Sequence, residues 1–347
     1  MDHSRPRAVT IYDVAREAGV ATSTASRALS NPGRVSERTR AHVEEVAARL
    51  GYVPNRIAQA LPSGRTGLFA LVIPDITNPH HVRLIRGAQA QAAAAGHSLV
   101  LADSQEDADI ELAHLQRLAS FVDGFLLVSP RAPADELLAH LQRHPAAVFN
   151  RPLAGLPGVV ADVDAASAQV VAHLAGLGHR RIAYLRGPET SWADGERRRT
   201  LAEHAGRHGI AFTAVGPFAP VLESGAPAAT AGLATGATAL VAFNDLIAIG
   251  ALEHLAAAGI AVPGEVSVTG ADDVFGTSFC RPPLTTVTSP AQEAGRAMVG
   301  LLTGTEPADP VLPSRLIVRE STGPAPVRPR RARGPATRPP SAPTAGS

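Results

Sequence analysis

The chain has 347 residues, too many for one hydrophobic core and enough for two or three domains. Its 45% hydrophobic and 18% charged residues, with no apolar run as long as a membrane span, predict a globular cytoplasmic protein and exclude a membrane-embedded one. The single cysteine, Cys280, excludes an intramolecular disulfide and any cysteine-based metal cluster. The start MDHSRPRAVT lacks the apolar middle of a secretory signal. Every basic residue other than His is Arg, and the net charge of +1 conceals a segregation. Through Thr66 there are 10 Arg against 6 acids, from Gly67 to Gly323 17 against 25, and beyond that 5 against none. A basic head and tail on an acidic body suit a head that meets a polyanion, although uneven surface scatter accounts for charge alone equally well.

In chain order, Thr10 is placed to cap a helix that buries Ile11, Val14, Ala15 and Ala18, and Gly19 ends it. The run 22–29 sets Ala25, Ala28 and Leu29 against a face of Thr22, Ser23, Ser26 and Arg27. After NPGR, Ser36 caps a third helix with Val43, Val46, Ala47 and Leu50 on one stripe. Two short helices joined at a glycine, the second with small hydroxyl residues and an Arg outward, describe a helix-turn-helix unit. Small side chains let such a helix approach base edges in a major groove, and the planar fork of Arg27 reaches a guanine or a phosphate. Thr10, Tyr12 and Arg34 then stand beside the DNA backbone, positioning the unit without reading sequence. A plain three-helix bundle with a solvated polar face is the alternative that periodicity leaves open. The run RIAQAL before Pro62 is too short to be a stable helix alone.

From Gly67 onward, apolar strand-like runs alternate with helical ones, beginning GLFALVIPD, VRLIRGAQAQAAAAG, HSLVLADS, and the cycle repeats from GVVADV. Such alternation predicts an α/β body of βαβ units with parallel sheets buried between helices, and two cycles predict two lobes. Ligands of open α/β sheets bind beyond the carboxyl ends of the strands, which singles out Asp75, Ser129, Asn150, Asn244, Asp245 and Asp272. The Pro/Ala/Arg-rich segment 324–347 has no periodicity and reads as a disordered basic tail.

TIYDVAREAGV, TASRAL and GYVPN together resemble the DNA-binding head of the lactose-repressor (LacI/GalR) family of bacterial transcription regulators. IPDITNP, LGHRRIAYLRG, FNDLIAIGAL, GIAVPGEVSVTGADD and PPLTTV extend the resemblance through the body, leaving only the tail outside it. It implies an N-terminal helix-turn-helix head over 1–54, a hinge helix and linker over 55–66, and a two-lobed periplasmic-binding-protein-like effector and dimerisation domain over 67–323. It further implies that the hinge folds on operator DNA, with Leu61 as a minor-groove wedge and Asn55 and Ala58 beside it. In the body it implies a small-molecule effector held by Asp75, His80 and His81 from one lobe, Ser129 and Asn150 beside the interlobe hinge, and Arg197, Asn244, Asp245 and Asp272 from the other. Trp192, expected in a loop near Arg197, is placed to stack on a sugar face or to serve as an ordinary packing aromatic. The chain departs from the family pattern at Ala25 and Ala28, which are small, at Pro62, at Thr200, at Asn150 in place of Asp, and at Ala271 in place of an aromatic.

Other chemistries find little support. His80, His81 and Asp75 lack a third metal ligand at a recognised spacing, so no metal is expected. No nucleophile, base and oxyanion set is recognisable, so no catalytic residues are assigned. GLFALVIPD has no Gly-rich turn after it, which argues against a dinucleotide or P-loop site, and no cofactor is expected. The expectation is a transcription regulator, most often a repressor, that binds a palindromic operator as a homodimer, or a tetramer, under control of an effector of carbohydrate type. The competing reading is a cytosolic carbohydrate-binding protein with no role at DNA.

Overall fold

The structure, a computed structural model, describes residues 9–30, 35–52, 65–306 and 311–327. The chain divides into two compact units, one built on the N-terminal residues and one comprising nearly everything after Leu68. No helix among the described residues is long and apolar enough to cross a membrane.

The head consists of α1 (Ile11–Glu17), α2 (Thr22–Ser30) and α3 (Glu37–Leu50). Val14, Ala25, Ala28, Val43 and Val46 are buried together at its centre, so the two alanines of α2 are full members of the core. They allow the three helices to approach closely. The N–H and hydroxyl of Thr10 both donate to the Asp13 carboxylate, 3.0 and 2.7 Å away, and fix the start of α1. Ser36 accepts the Thr39 N–H to cap α3, and Gly51 ends that helix in the left-handed region at φ 65°. Arg49 of α3 pairs with Glu17 of α1 at 3.0 Å.

The first lobe of the body is built on β1 (Leu68–Ile73), β2 (Ser98–Asp103), β3 (Gly124–Val128), β4 (Ala146–Phe149) and β5 (Gly158–Ala161). Around them stand α4 (His80–Ala94), α5 (Ala108–Leu118) and α6 (Ala134–Leu141). The second lobe contains α7 (Val163–Gly176), β6 (Arg181–Leu185), α8 (Trp192–Arg207) and β7 (Ala211–Val215). These are followed by α9 (Gly225–Ala234), β8 (Ala239–Ala242), α10 (Asp245–Ala257), β9 (Ser267–Thr269) and β10 (Thr286–Val287). The chain then returns to the first lobe for α11 (Ala291–Thr303) and β11 (Val311–Leu312) before β12 (Leu316–Ile317) pairs antiparallel with β10.

The first sheet runs β11-β5-β4-β3-β1-β2 and the second β7-β6-β8-β9. Pairing is parallel from β1 through β3, β4 and β5 to β11, and throughout the second sheet. Residues 69–73 of β1 and all of β3 and β8 are buried, as expected where helices cover both faces of a sheet. In the second lobe, α7 and α8 pack on one face through Val171, Leu174 and Leu201, and α9 and α10 on the other through Ala228, Ile247 and Leu252. The first lobe is closed by α4 lying against α11, where a Cβ on Gly87 would come 2.0 Å from the Gln292 carbonyl oxygen and one on Gly295 2.2 Å from that of Leu84. Only glycine permits that contact.

Three segments cross between the lobes, after β5, after β10 and between β11 and β12. The body extends slightly past Gly323, because Ala325 N donates to the Leu177 carbonyl at 2.8 Å, so the second residue of the segment expected to be a tail from 324 is anchored. The hinge expected over 55–66 lies, except for Arg65 and Thr66, outside the described residues.

Candidate functional site

In the head, Ser23 and Arg27 are exposed one turn apart on α2, and Arg27 Nε donates to the Ser23 carbonyl at 3.1 Å. Thr22 and Ser26 flank them, half-buried. Tyr12 is 69% exposed, too much for a core role in the head. Thr10 is tied to Asp13, so its hydroxyl serves the helix cap as well as any backbone contact assigned to it. Arg34, Asn55, Ala58 and Leu61 lie outside the described residues.

In the body, three of the strand-end residues depart from the strand by a left-handed turn: Ser129 after β3 at φ 44°, Asn150 after β4 at φ 55°, and Asp272 after β9 at φ 115°. Such conformations are uncommon outside glycine and concentrate at functional positions. Ser129 is held by its N–H on the Phe149 carbonyl and by its own carbonyl on Arg131 Nη1. Asn150 Oδ1 accepts the Ala161 N–H at 3.0 Å, tying the end of β4 to the end of β5.

Asn150, Arg197 and Asp272 line one pocket of about 590 Å³, counting space open to solvent, together with Ala161 and Val163 on either side of the first crossing and Thr288, Ser289 and Ser314 of the other two. All three crossings therefore border it. Arg197, from α8, donates through Nη1 to the Phe243 carbonyl, with its guanidinium carbon 5.2 Å from the centre of the Phe243 ring. His80 begins α4 in the first lobe, and its Nδ1 lies 3.5 Å from Asp272 Oδ1 in the second. Burial raises the Asp272 carboxyl above the ordinary Asp range, while His80 and Arg197 pull it back. His81 is buried with its ring edge-on to His80, and burial, reinforced by the charges of His80 and Arg131, holds it well below the ordinary imidazole value.

A second space, about 1150 Å³ including its open side, lies between Asp75, Thr77 and Gln105 of the first lobe and Pro188, Phe218 and Pro220 of the second. Asp75 accepts from both Thr77 N and Thr77 Oγ1.

Two expected cleft residues point elsewhere. Asn244 is buried, its Oδ1 capping α10 through the Ile247 N–H and its amide donating to the Pro220 carbonyl. Asp245 is fully buried, accepting from Thr286 Oγ1 and Val274 N. Burial chiefly, and then the neighbouring charge of Asp272, raises its carboxyl well above the ordinary range. Both brace the cleft from behind. Trp192 is the first residue of α8, capped by Ser191, and so is helical where a loop was expected.

Sequence reading missed two buried networks. Asp194 accepts from Tyr184 Oη, Arg186 Nε and Gly187 N. Arg131 makes a two-pronged pair with Glu106 while its N–H donates to the buried Glu111. Their members lie up to 25 residues apart, and only the charged residues beside strand ends hinted at them. Among the described residues no group of three or more His, Cys, Asp or Glu has a geometry to hold a metal ion.

A three-helix head with small residues and an Arg exposed on its second helix, followed by two parallel-sheet lobes connected by three crossings of the chain, is the architecture of a helix-turn-helix unit with a two-lobed binding-protein-like body. Residues 10–55 match the model of bacterial regulatory proteins of the lacI family, and residues 171–322 match that of a periplasmic binding protein-like domain. The chain is 33% identical to the transcriptional repressor CytR of Escherichia coli (strain K12), over 85% of this chain and 89% of that protein. Its fold matches the lac repressor dimer bound to operator and the anti-inducer ONPF with a TM-score of 0.80, at 26% identity over 91% of this chain and 100% of that one. It matches the regulator CelR in complex with cellobiose with a TM-score of 0.65, at 32% identity over 90% and 99%. The protein belongs to the LacI family: it is a DNA-binding transcription regulator and not an enzyme.

Proposed function

We propose that the protein is a repressor that binds a palindromic operator as a homodimer and changes its operator affinity when a sugar enters the interlobe cleft. The observation that carries the reading is the pairing of a base-reading face on α2, Thr22, Ser23, Ser26 and Arg27, with a cleft bordered by every crossing between the lobes. One short helix reads only a few base pairs, and a twofold pair reads an inverted repeat on successive major-groove turns. The dimer is supported by the relative crystallised as a dimer on operator and by exposed apolar side chains on the body, Ile76, Val82, Phe275 and Phe279. A sugar is supported by the Asn150 amide, the Arg197 guanidinium, the Asp272 carboxylate and the Thr288, Ser289 and Ser314 hydroxyls set among apolar lining residues of the pocket, which suit ligand hydroxyls and C–H faces. The CelR relative carries cellobiose in its complex.

The ligand acts by favouring one separation of the lobes, which residues 55–66 pass to the head. A coupling of about 1–3 kcal/mol changes operator affinity about 5- to 150-fold. Fluorescence anisotropy of the full chain on a selected duplex, beside a variant lacking residues 1–66, tests it. The full chain binds DNA specifically and the truncated one keeps only ligand binding. A truncated body that still binds the duplex refutes the assignment.

A further inference from the structure

We infer that Asp194 is a positioning residue for ligand binding: without lining the pocket, it fixes the guanidinium of Arg197 through Tyr184 on one side and through Gly187 and Phe243 on the other. Its bearing on the ligand rests on the proposal above that Arg197 meets the effector.

Asp194 is the third residue of α8, after Ser191 as cap, and Arg197 follows it by three positions, so the two stand on neighbouring turns of one face. Arg197 lines the pocket, whereas Asp194 is 1% exposed. A carboxylate so deeply buried needs donors for its lone pairs. Asp194 has three, Tyr184 Oη at 2.9 Å, Gly187 N at 2.7 Å and Arg186 Nε at 3.1 Å. Arg186 answers its charge. The other two lead to Arg197.

The first route is the phenol of Tyr184, which is fully buried in the second lobe. Burial raises its pKa well above the ordinary value, and the Arg197 guanidinium beside it pulls that back while Asp194 adds to the rise. A phenol has one proton. Because Asp194 takes it, the oxygen turns a lone pair toward Arg197, a residue with donors only. An Asn in place of Asp194 can offer Tyr184 an amide N–H instead, which frees the phenol proton to point at the guanidinium.

The second route is the Gly187 amide. Held by Asp194, Gly187 packs so closely on Phe243 that a Cβ there would fall 2.5 Å from the ring. Phe243 in turn holds Arg197 twice, through its carbonyl, which accepts from Nη1, and through its ring, whose centre is 5.2 Å from the guanidinium carbon. Both supports of the guanidinium therefore depend on one carboxylate. An unrestrained Arg loses rotamer freedom when it meets a ligand, and one held in advance has less to lose.

Reaction of the full chain with phenylglyoxal, mapped by fragment spectra that separate Arg197 from Arg198 and Arg199, tests the positioning without any sugar. Arg197 is expected to react slowly in the native chain and several times faster in Asp194→Asn and in Tyr184→Phe, which keeps the ring in the core. Arg131, buried in the first lobe, is the control. An unchanged Arg197 rate overturns the inference, and so does a rise shared by Arg131, which marks general loosening. Calorimetry with cellobiose, lactose, D-glucose, D-galactose and D-ribose then tests the consequence for the ligand. The affinity of each sugar that binds is expected to fall at least about tenfold in either variant. In an Arg197→Ala background, Tyr184→Phe is expected to change nothing more, and additive losses overturn the inference. A native affinity beside a freed Arg197, or no binding of any sugar, counts against the proposal that Arg197 meets a sugar, and the phenylglyoxal rates still decide whether Asp194 positions it.

Discussion

His80 Nδ1 and Asp272 Oδ1 lie 3.5 Å apart across the gap between the two lobes, both largely buried. A contact so placed joins elements that must move relative to each other if ligand is to enter. Asp272→Asn removes the charge that His80 and Arg197 both face. Hydrogen bonds to charged groups contribute about 1.5–3 kcal/mol, so ligand affinity is expected to fall by about tenfold or more. Calorimetry with the best-binding sugar checks this, and an unchanged affinity removes Asp272 from the site.

Arg27→Ala tests the reading face of the head. The Arg27 side chain stands outside the head's core, so the melting of the head is expected to stay close to native. Operator affinity is expected to drop by about 1–3 kcal/mol with relaxed preference at one base position if Arg27 contacts a guanine. A uniform loss on all sequences, with a shallower salt dependence, assigns Arg27 to a phosphate instead.

Gly295→Ala and Gly206→Ala are expected to move stability in opposite directions. At Gly295 the added methyl has no room beside the Leu84 carbonyl, and such overpacking costs about 1–3 kcal/mol. At Gly206, in α8, nothing lies within 4 Å, and the better helix propensity of Ala adds up to about 1 kcal/mol. Urea unfolding of the two variants measures both signs.

Acid is expected to weaken the body through His81. Its folded pKa is depressed, so below the ordinary value of 6.5 the unfolded chain binds a proton that the folded one refuses. The contribution is present above that value and is lost as pH falls toward the folded pKa, at up to about 1.4 kcal/mol per pH unit. Asp245 runs the other way: its raised pKa makes the ionised form costly, so its contribution is lost as pH rises from 3.8 through the raised value. Melting curves of native, His81→Gln and Asp245→Asn chains across pH separate the two. The native advantage over His81→Gln shrinks on acidification, and Asp245→Asn gains on the native chain as pH rises.

The helical spacing of Val14, Val43 and Val46 made the head legible in the sequence, and the alternation of apolar runs made the lobes legible, because both patterns are local. The places of Ser129 and Asn150 directly after β3 and β4, and of Asp272 three residues after β9, were legible for the same reason. Asn244 and Asp245 also follow a strand, yet their side chains are claimed by partners 24 to 41 residues away, which no local pattern reveals. Trp192 reads as loop among polar neighbours, but Ser191 accepts the Asp194 N–H and starts a helix there. The place of Phe218 opposite Asp75 and Gln105 was missed because it sits in a glycine and proline loop whose shape depends on the close approach of Gly216 to the Phe218 ring.

The most direct measurement is selection of duplexes from a randomised library by the full chain, followed by anisotropy titration of the enriched sequence with and without the best-binding sugar. An inverted repeat bound by two chains is expected, with affinity that shifts about 5- to 150-fold when the sugar is added. Absence of any enriched sequence, or an affinity for it indifferent to every ligand that binds the body, contradicts it.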